Sequence, residues 1–196
     1  MSTRKFVLSG ACVGADSIIT DIAAEYGVEP IHFSFQGHEK CRSFNHGYKG
    51  RRVILTQEEL NKYDDFYKSV CSKVYRNVSY KVFVRNLLIR DFYQILGRKS
   101  TMSELVIIVD GLQNQMPKGG AIYAFYTACI HKIPIIILDK DNDYKCLFLD
   151  YEKREWRHLR KSDLHKIKVA FTGIGSRESD PERVTPIIKE IFKYIL

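Results

Sequence analysis

Apolar residues in this chain gather into short unbroken runs, and the stretches between them carry apolar positions at helical spacing. Runs at 6–9, 30–35, 105–110 and 133–139, with a fifth at 168–172, are each bounded by Gly, Asp or Pro. Such runs predict parallel strands covered on both faces. Residues 16–26 place Ile18, Ile19, Ile22 and Ala23 on one helical face and stop at Gly27. Residues 120–131 are small and apolar, as in a helix buried on a sheet, and 186–196 repeat the amphipathic pattern with Ile187, Ile188, Ile191 and Phe192. Strands alternating with helices predict an α/β fold, a Rossmann-like doubly wound parallel sheet.

Two stretches break that rhythm. Residues 36–104 are too long for a connection and predict a helical insertion. There, Thr56-x-x-Glu59 has the form of a capping box opening a helix to about Ser72, and 82–96 carries Phe83, Leu87, Leu88, Phe92 and Ile95 at helical spacing. Residues 145–160 alternate around "YEKR" and predict an exposed β-hairpin. No repeat or linker divides the chain, so 1–196 reads as one domain.

Three glycine-rich turns are the candidate chemistry: Ser9-Gly-Ala-Cys-Val-Gly-Ala-Asp16, Pro117-Lys-Gly-Gly-Ala121 and Thr172-Gly-Ile-Gly-Ser-Arg177. Glycines between a strand and a helix let backbone N–H groups approach an anion at the positive end of the helix. A tight turn without ligand is the alternative for each alone. In a doubly wound sheet, however, loops at the carboxyl ends of neighbouring strands share a crevice. Arg177 adds a planar fork suited to phosphate and Lys118 a point charge.

Together, "SGACVGAD", "SELVIIVDG…PKGGAIYAF…IPIIILD" and "GIGSRE" resemble the SMF/DprA–LOG (SLOG) superfamily of Rossmann-like nucleotide-binding proteins, especially phage and bacterial members. "RDFYQILG" at 90–97, "FNHG" at 44–47 and "LTQEEL" at 55–60 extend the resemblance over most of the chain. The order differs: the family's opening strand and loop stand at the C-terminus. Circular permutation accounts for this, and it requires the strand near 168–172 to lie between those near 6–9 and 105–110, with Leu196 close to Met1. The resemblance implies a nucleotide or nucleotide-derived ligand, of the cyclic nucleotide or ADP-ribose type, contacting Gly10, Ala11, Gly14, Asp16, Arg90, Lys118, Gly119, Gly120, Gly173, Gly175, Ser176 and Arg177.

The hydrolytic branch of that superfamily carries Pro-Gly-Gly-x-Gly-Thr-x-x-Glu, where this chain has Ile122, Tyr123 and Tyr126 in place of Gly, Thr and Glu. Asp16 and Glu178 are the carboxylates left for N-glycoside hydrolysis. Without turnover, the same loops suit a protein that sequesters a nucleotide signal, a viral anti-defence role. The DprA branch suggests single-stranded DNA, with the basic "KREWRHLRK" as a phosphate track.

Composition narrows the partners. The 196 residues carry 31 Lys and Arg against 23 Asp and Glu, a net +8, which favours anionic ligands. Five cysteines without a Cys-x-x-Cys predict free thiols in a reducing cytoplasm. No apolar stretch reaches the roughly 18 residues of a membrane span, so no membrane partner is expected. His38, Cys41 and His46 lack an evident fourth ligand, so no metal and no cofactor is expected. The apolar surplus of 82–96, with the resemblance, points to a homodimer.

Overall fold

In the computed structural model, which describes residues 4–98 and 101–196, the predicted alternation becomes an eight-stranded sheet with helices on both faces. The first strand β1 (Phe6–Ser9) leads through a glycine turn to α1 (Ala15–Glu25) and β2 (Glu29–Phe35). An irregular stretch reaches β3 (Arg51–Leu55), then α2 (Gln57–Asn61), α3 (Asp64–Lys73) and α4 (Val82–Leu96). Next come β4 (Val106–Asp110), a small ribbon of β5 (Leu112–Gln113) and β6 (Met116–Pro117), α5 (Ala121–Ile130) and β7 (Ile135–Asp139). The hairpin of β8 (Lys145–Asp150) and β9 (Glu155–His158) precedes β10 (Ala170–Gly175) and α6 (Pro181–Ile195).

The sheet order is β3-β2-β1-β10-β4-β7-β8-β9, parallel from β3 through β7 and antiparallel in the hairpin. The C-terminal strand therefore sits in the middle, pairing Phe6 with Ala170 on one side and Val106 with Thr172 on the other. The expected closeness of Leu196 to Met1 concerns a residue outside the described ones. Nearby, Lys5 Nζ donates to the Leu196 carbonyl at 2.9 Å, and Ile167 N–H donates to the Ile195 carbonyl at 2.9 Å.

Strand alternation divides the core into two layers. Val7, Ile107, Val109, Ile136, Leu138 and Phe171 face α1 and α6. Leu8, Ile31, Phe33 and Ala170 face α3 and α4, while Val106, Ile108, Ile135, Ile137 and Ile174 face mainly α5. Gly173 lies where a side chain would collide with Ile19 of α1, so its bareness lets that helix seat on β10.

Several boundaries depart from the sequence expectation. The last strand starts at Ala170, not Lys168, because the Glu104 carboxylate takes the N–H groups of Lys168 and Val169. It then runs through Gly173 and Gly175, which pair with Ile107 and Val109, so these glycines are strand residues and not loop. The final helix begins at Pro181, capped by Asp180, and Pro186 lies inside it. The capping box forms, with Glu59 N–H on Thr56 Oγ1 at 3.1 Å and Thr56 N–H on Glu59 Oε2 at 2.9 Å. Its helix breaks after Asn61, where the Tyr63 ring packs against Phe92 and Tyr93. Edge strand β3 was not expected, since its Arg51-Arg52 start hides a short apolar run.

The apolar surplus of α4 is consumed within the chain: Ile89, Phe92, Tyr93 and Ile95 are buried, and only its first turn is open. This removes the structural reason for expecting a homodimer through that helix.

The expected closeness of the two chain ends is testable. Joining Leu196 to Met1 by a short glycine–serine linker and opening the chain between exposed His165 and Lys166 puts β10 first. That chain should fold cooperatively, with Tm within about 10 °C of the parent in thermal denaturation. Failure to fold would contradict it.

Candidate functional site

The turn after β1 and the turn after β10 touch backbone to backbone. Ala15 N–H donates to the Ser176 carbonyl at 3.0 Å, and Ser176 N–H donates to the Val109 carbonyl at 2.7 Å. Gly14, at φ 87°, lies directly on the backbone of Ser176 and Arg177, where a Cβ would not fit. The Asp16 carboxylate joins the two turns. It accepts Gly10 N–H at 2.9 Å and Ser9 Oγ at 3.3 Å, and a backbone hydrogen bond from Gly175 also supports its charge. Burial nevertheless pushes its pKa up, against the pull of Arg90. The expectation that Asp16 contacts ligand or acts in catalysis is corrected here: Asp16 is buried and sealed inside the turn it organises, just past the cap position Gly14.

Arg90 lies beneath the same turn and occupies the space that a side chain on Gly10 would need. Its Nη1 donates to the Gly10 carbonyl at 2.5 Å and approaches Cys12 Sγ at 3.4 Å, while Nη2 donates to Asp91 Oδ1 at 2.7 Å. Gln94 donates to that Asp91 oxygen at 2.8 Å. With 5% of its surface exposed, Arg90 is a buttress of the first turn and not a ligand contact, which corrects the sequence expectation. Ala11 is likewise buried, and Gly10 and Gly173 serve packing. Burial pushes Asp91 up to about 6 despite Arg90, since one guanidinium serves both Asp91 and Asp16.

In front of these turns opens a crevice of about 400 Å³ at the carboxyl ends of β10, β4 and β7. Gly175, Ser176, Arg177 and Glu178 form one wall, and Lys118, Gly119 and Gly120 another, with Cys12, Ser43, Asp110 and Lys140 completing the lining. Helix α5 starts at Ala121 with no side-chain cap, so its first-turn N–H groups face this end. Lys140 Nζ donates to Ser176 Oγ at 3.1 Å, and Lys118 Nζ pairs with Asp141 at 2.5 Å. Arg177 has no ion-pair partner among the described residues. The crevice thus sets Arg177 beside a helix N-terminus, with Lys118 paired to Asp141 and Lys140 held between Ser176 Oγ and Glu178 at 3.9 Å.

Its carboxylates are Asp110 and exposed Glu178. Asp110 accepts Gly111 N–H at 2.9 Å and Gly119 N–H at 3.0 Å, and burial pushes its pKa up. Burial also pushes up the Cys12 thiol, against Arg90, which disfavours the thiolate. Ser43, Asp110 and Lys140 escaped the sequence reading. Asp110 and Lys140 stand at or just past the ends of β4 and β7, where strand-end position alone marks candidates. Ser43 is placed by an irregular turn, through its carbonyl accepting Val13 N–H at 2.8 Å, and no local pattern announces it.

The remaining candidates lie elsewhere. His38 is buried, hydrogen-bonded to Ser34 Oγ at 2.9 Å and stacked on Phe35, and burial depresses its pKa to about 3. It does not line the crevice. Among the described residues no group of three or more His, Cys, Asp or Glu is disposed to hold a metal. In the basic hairpin, Arg157 is committed to Asp163 at 2.6 Å through both terminal nitrogens. No helix among the described residues is long and apolar enough to cross a membrane.

No family model and no curated protein matches the chain. Among solved structures, a short-chain dehydrogenase from Streptomyces avermitilis is similar at 12% identity and a TM-score of 0.31, covering 99% of this chain and 79% of that one.

The buried pair beneath the first turn carries a pH signature. Asp91 is raised from 3.8 to about 6 on folding, so its neutral form is favoured in the native state and its contribution to stability declines as pH rises through that window. Replacing Asp91 by Asn removes this titration. The stability of Asp91→Asn relative to the parent should improve between pH 4 and 7 by on the order of 2 kcal/mol in urea unfolding. A pH-independent difference would contradict the assignment.

Proposed function

We propose that the crevice binds the phosphate groups of a nucleotide or nucleotide-derived ligand. The observation that carries this reading is Arg177, a cation without an ion-pair partner among the described residues, on a turn locked to α1 and facing the start of α5. A guanidinium left without a carboxylate, beside Lys140 and Lys118, is matched by a bidentate oxyanion. Ser43, Ser176 and Asp110 supply hydrogen-bonding groups of the kind that meet sugar hydroxyls. The motif resemblance to the SLOG superfamily supports the same ligand class, and a parallel sheet with its crevice at the strand ends is compatible with it.

Binding without turnover is the form we favour. Asp16 is sealed behind Gly10 and cannot activate water, and the position of the hydrolytic branch's glutamate is Tyr126. A crevice that lacks that branch's glutamate, and whose own carboxylates are Asp110, tied to Gly111 and Gly119, and exposed Glu178, suits sequestration of a cyclic nucleotide or ADP-ribose-type signal. On the hairpin the Arg157 charge is met by Asp163, which leaves exposed Lys153 and Arg154 of its turn as the cations a single-stranded DNA reading would rest on.

Mass spectrometry of small molecules released on denaturing the purified protein, followed by calorimetry with a nucleotide panel, tests this. Arg177→Ala should weaken nucleotide binding by about tenfold or more, and Lys140→Ala should weaken it in the same direction. The ligand should return unchanged, with no free base. Unaltered affinity in Arg177→Ala would overturn the site, and release of free base would overturn binding without turnover.

A further inference from the structure

A second groove, of about 500 Å³, lies on the far side of the sheet from the hairpin, where edge strand β3, the end of β2, α2 and the first turn of α4 meet. Phe35, Ile54, Leu55, Leu60, Val82 and Phe83 give it an apolar lining. Val82 is 54% exposed and Ile54 47%, high values for residues of their kind. Strand β3 has a neighbour on one side only, so half of its backbone groups face outward beside the groove.

Two polar features point to what fills it. Helix α4 is fifteen residues long, yet its cap residue is Lys81, no side chain caps it and its first turn holds no acid. That end carries the positive pole of the helix together with a lysine, an arrangement that favours an incoming carboxylate. Independently, Asn86 lies in the groove wall with 5% of its surface exposed, and its Oδ1 is buried without a hydrogen-bond partner. Its amide nitrogen is used, donating to Gln57 Oε1 at 3.2 Å. An unmet buried acceptor costs about 1–3 kcal/mol and calls for an N–H donor.

We propose that this groove docks an extended segment of a partner protein in which a carboxylate and a large apolar side chain lie close together. The apolar side chain fills the groove, the carboxylate caps α4 beside Lys81, and an N–H of the segment meets Asn86 Oδ1. Of the cations on this part of the chain, Lys68 and Arg85 are met by Asp64 and Arg90 by Asp91, whereas Lys81, at the head of α4, has no carboxylate partner among the described residues. A second copy of this chain fits poorly, since antiparallel pairing of two β3 edges would set Arg51 opposite Leu55 and Arg52 opposite Ile54, and two chains of net +8 repel. A nucleic acid strand would answer the charge but has no aliphatic side chain for the groove.

Selection of a random library of about 12-residue displayed peptides on the full chain tests this, with Phe83→Asp and Lys81→Glu as the comparison variants. Phe83→Asp puts an acid in the open first turn of α4 and Lys81→Glu puts one at its cap position, and acids at this end favour the helix, so the fold should persist. Enriched peptides should place Asp or Glu within about four residues of Leu, Ile, Phe or Trp and bind each variant about tenfold or more weakly. No enrichment, no acidic bias, or equal binding to the variants would overturn the proposal. So would a parent homodimer dispersed by Phe83→Asp in ultracentrifugation, or twelve-nucleotide oligothymidine binding lost in that variant, each of which names a different occupant.

Discussion

Strand β10 is the physical constraint on which this molecule rests. Among the described residues, the half-sheet β3-β2-β1 and the half-sheet β4-β7-β8-β9 are joined in the sheet only through it. Until the last residues of the chain are in place, β1 and β4 each present an open parallel edge, the kind of edge that associates wrongly when left exposed. Contacts between strands separated by most of the chain are slow to form, because loop closure precedes any gain from pairing. Gly173 eases the insertion by leaving room for Ile19, and Thr172 fastens the strand to α4 through Ser103 Oγ at 2.5 Å, which in turn donates to the Gln94 carbonyl.

The same insertion builds the crevice. Arg177 reaches the Lys118 turn only because β10 lies beside β4, and Gly14 rests on the Ser176–Arg177 backbone only because β10 lies beside β1. Buried charge then stiffens what the sheet has assembled. Arg90 supports the Gly10 carbonyl from below, and Asp16 gathers the Gly10 N–H and a Gly175 backbone hydrogen bond. Burying one guanidinium with two carboxylates is costly, and the raised pKa values of Asp16 and Asp91 record that cost. Together these supports hold the crevice wall that carries Arg177 in place from beneath.

Much of the fold was legible because it rests on local pattern. Apolar runs marked the central strands, helical spacing marked α4 to the residue, and Thr56 with Glu59 marked a cap. The glycine turns also marked the end of the sheet at which the crevice opens. Residue roles were less legible, since a polar residue in a glycine turn reads alike whether it faces ligand or interior. Asp16 and Arg90 look like site residues and are internal supports, whereas Asp110 and Lys140 look like strand ends and line the crevice. Which side each takes is fixed by β10 and α4, which meet the first turn from 80 or more positions away. Edge strand β3 was missed for a related reason: its arginines suit an exposed edge and disguise the run behind them.

Amide hydrogen exchange by NMR tests the interlock of the two turns most directly. If they are locked as described, the N–H groups of Gly10, Ala15 and Ser176 should exchange as slowly as those in the middle of β4, opening only with global unfolding. Rapid local exchange at these three positions, with β4 still protected, would show that the turns move independently and would contradict the account.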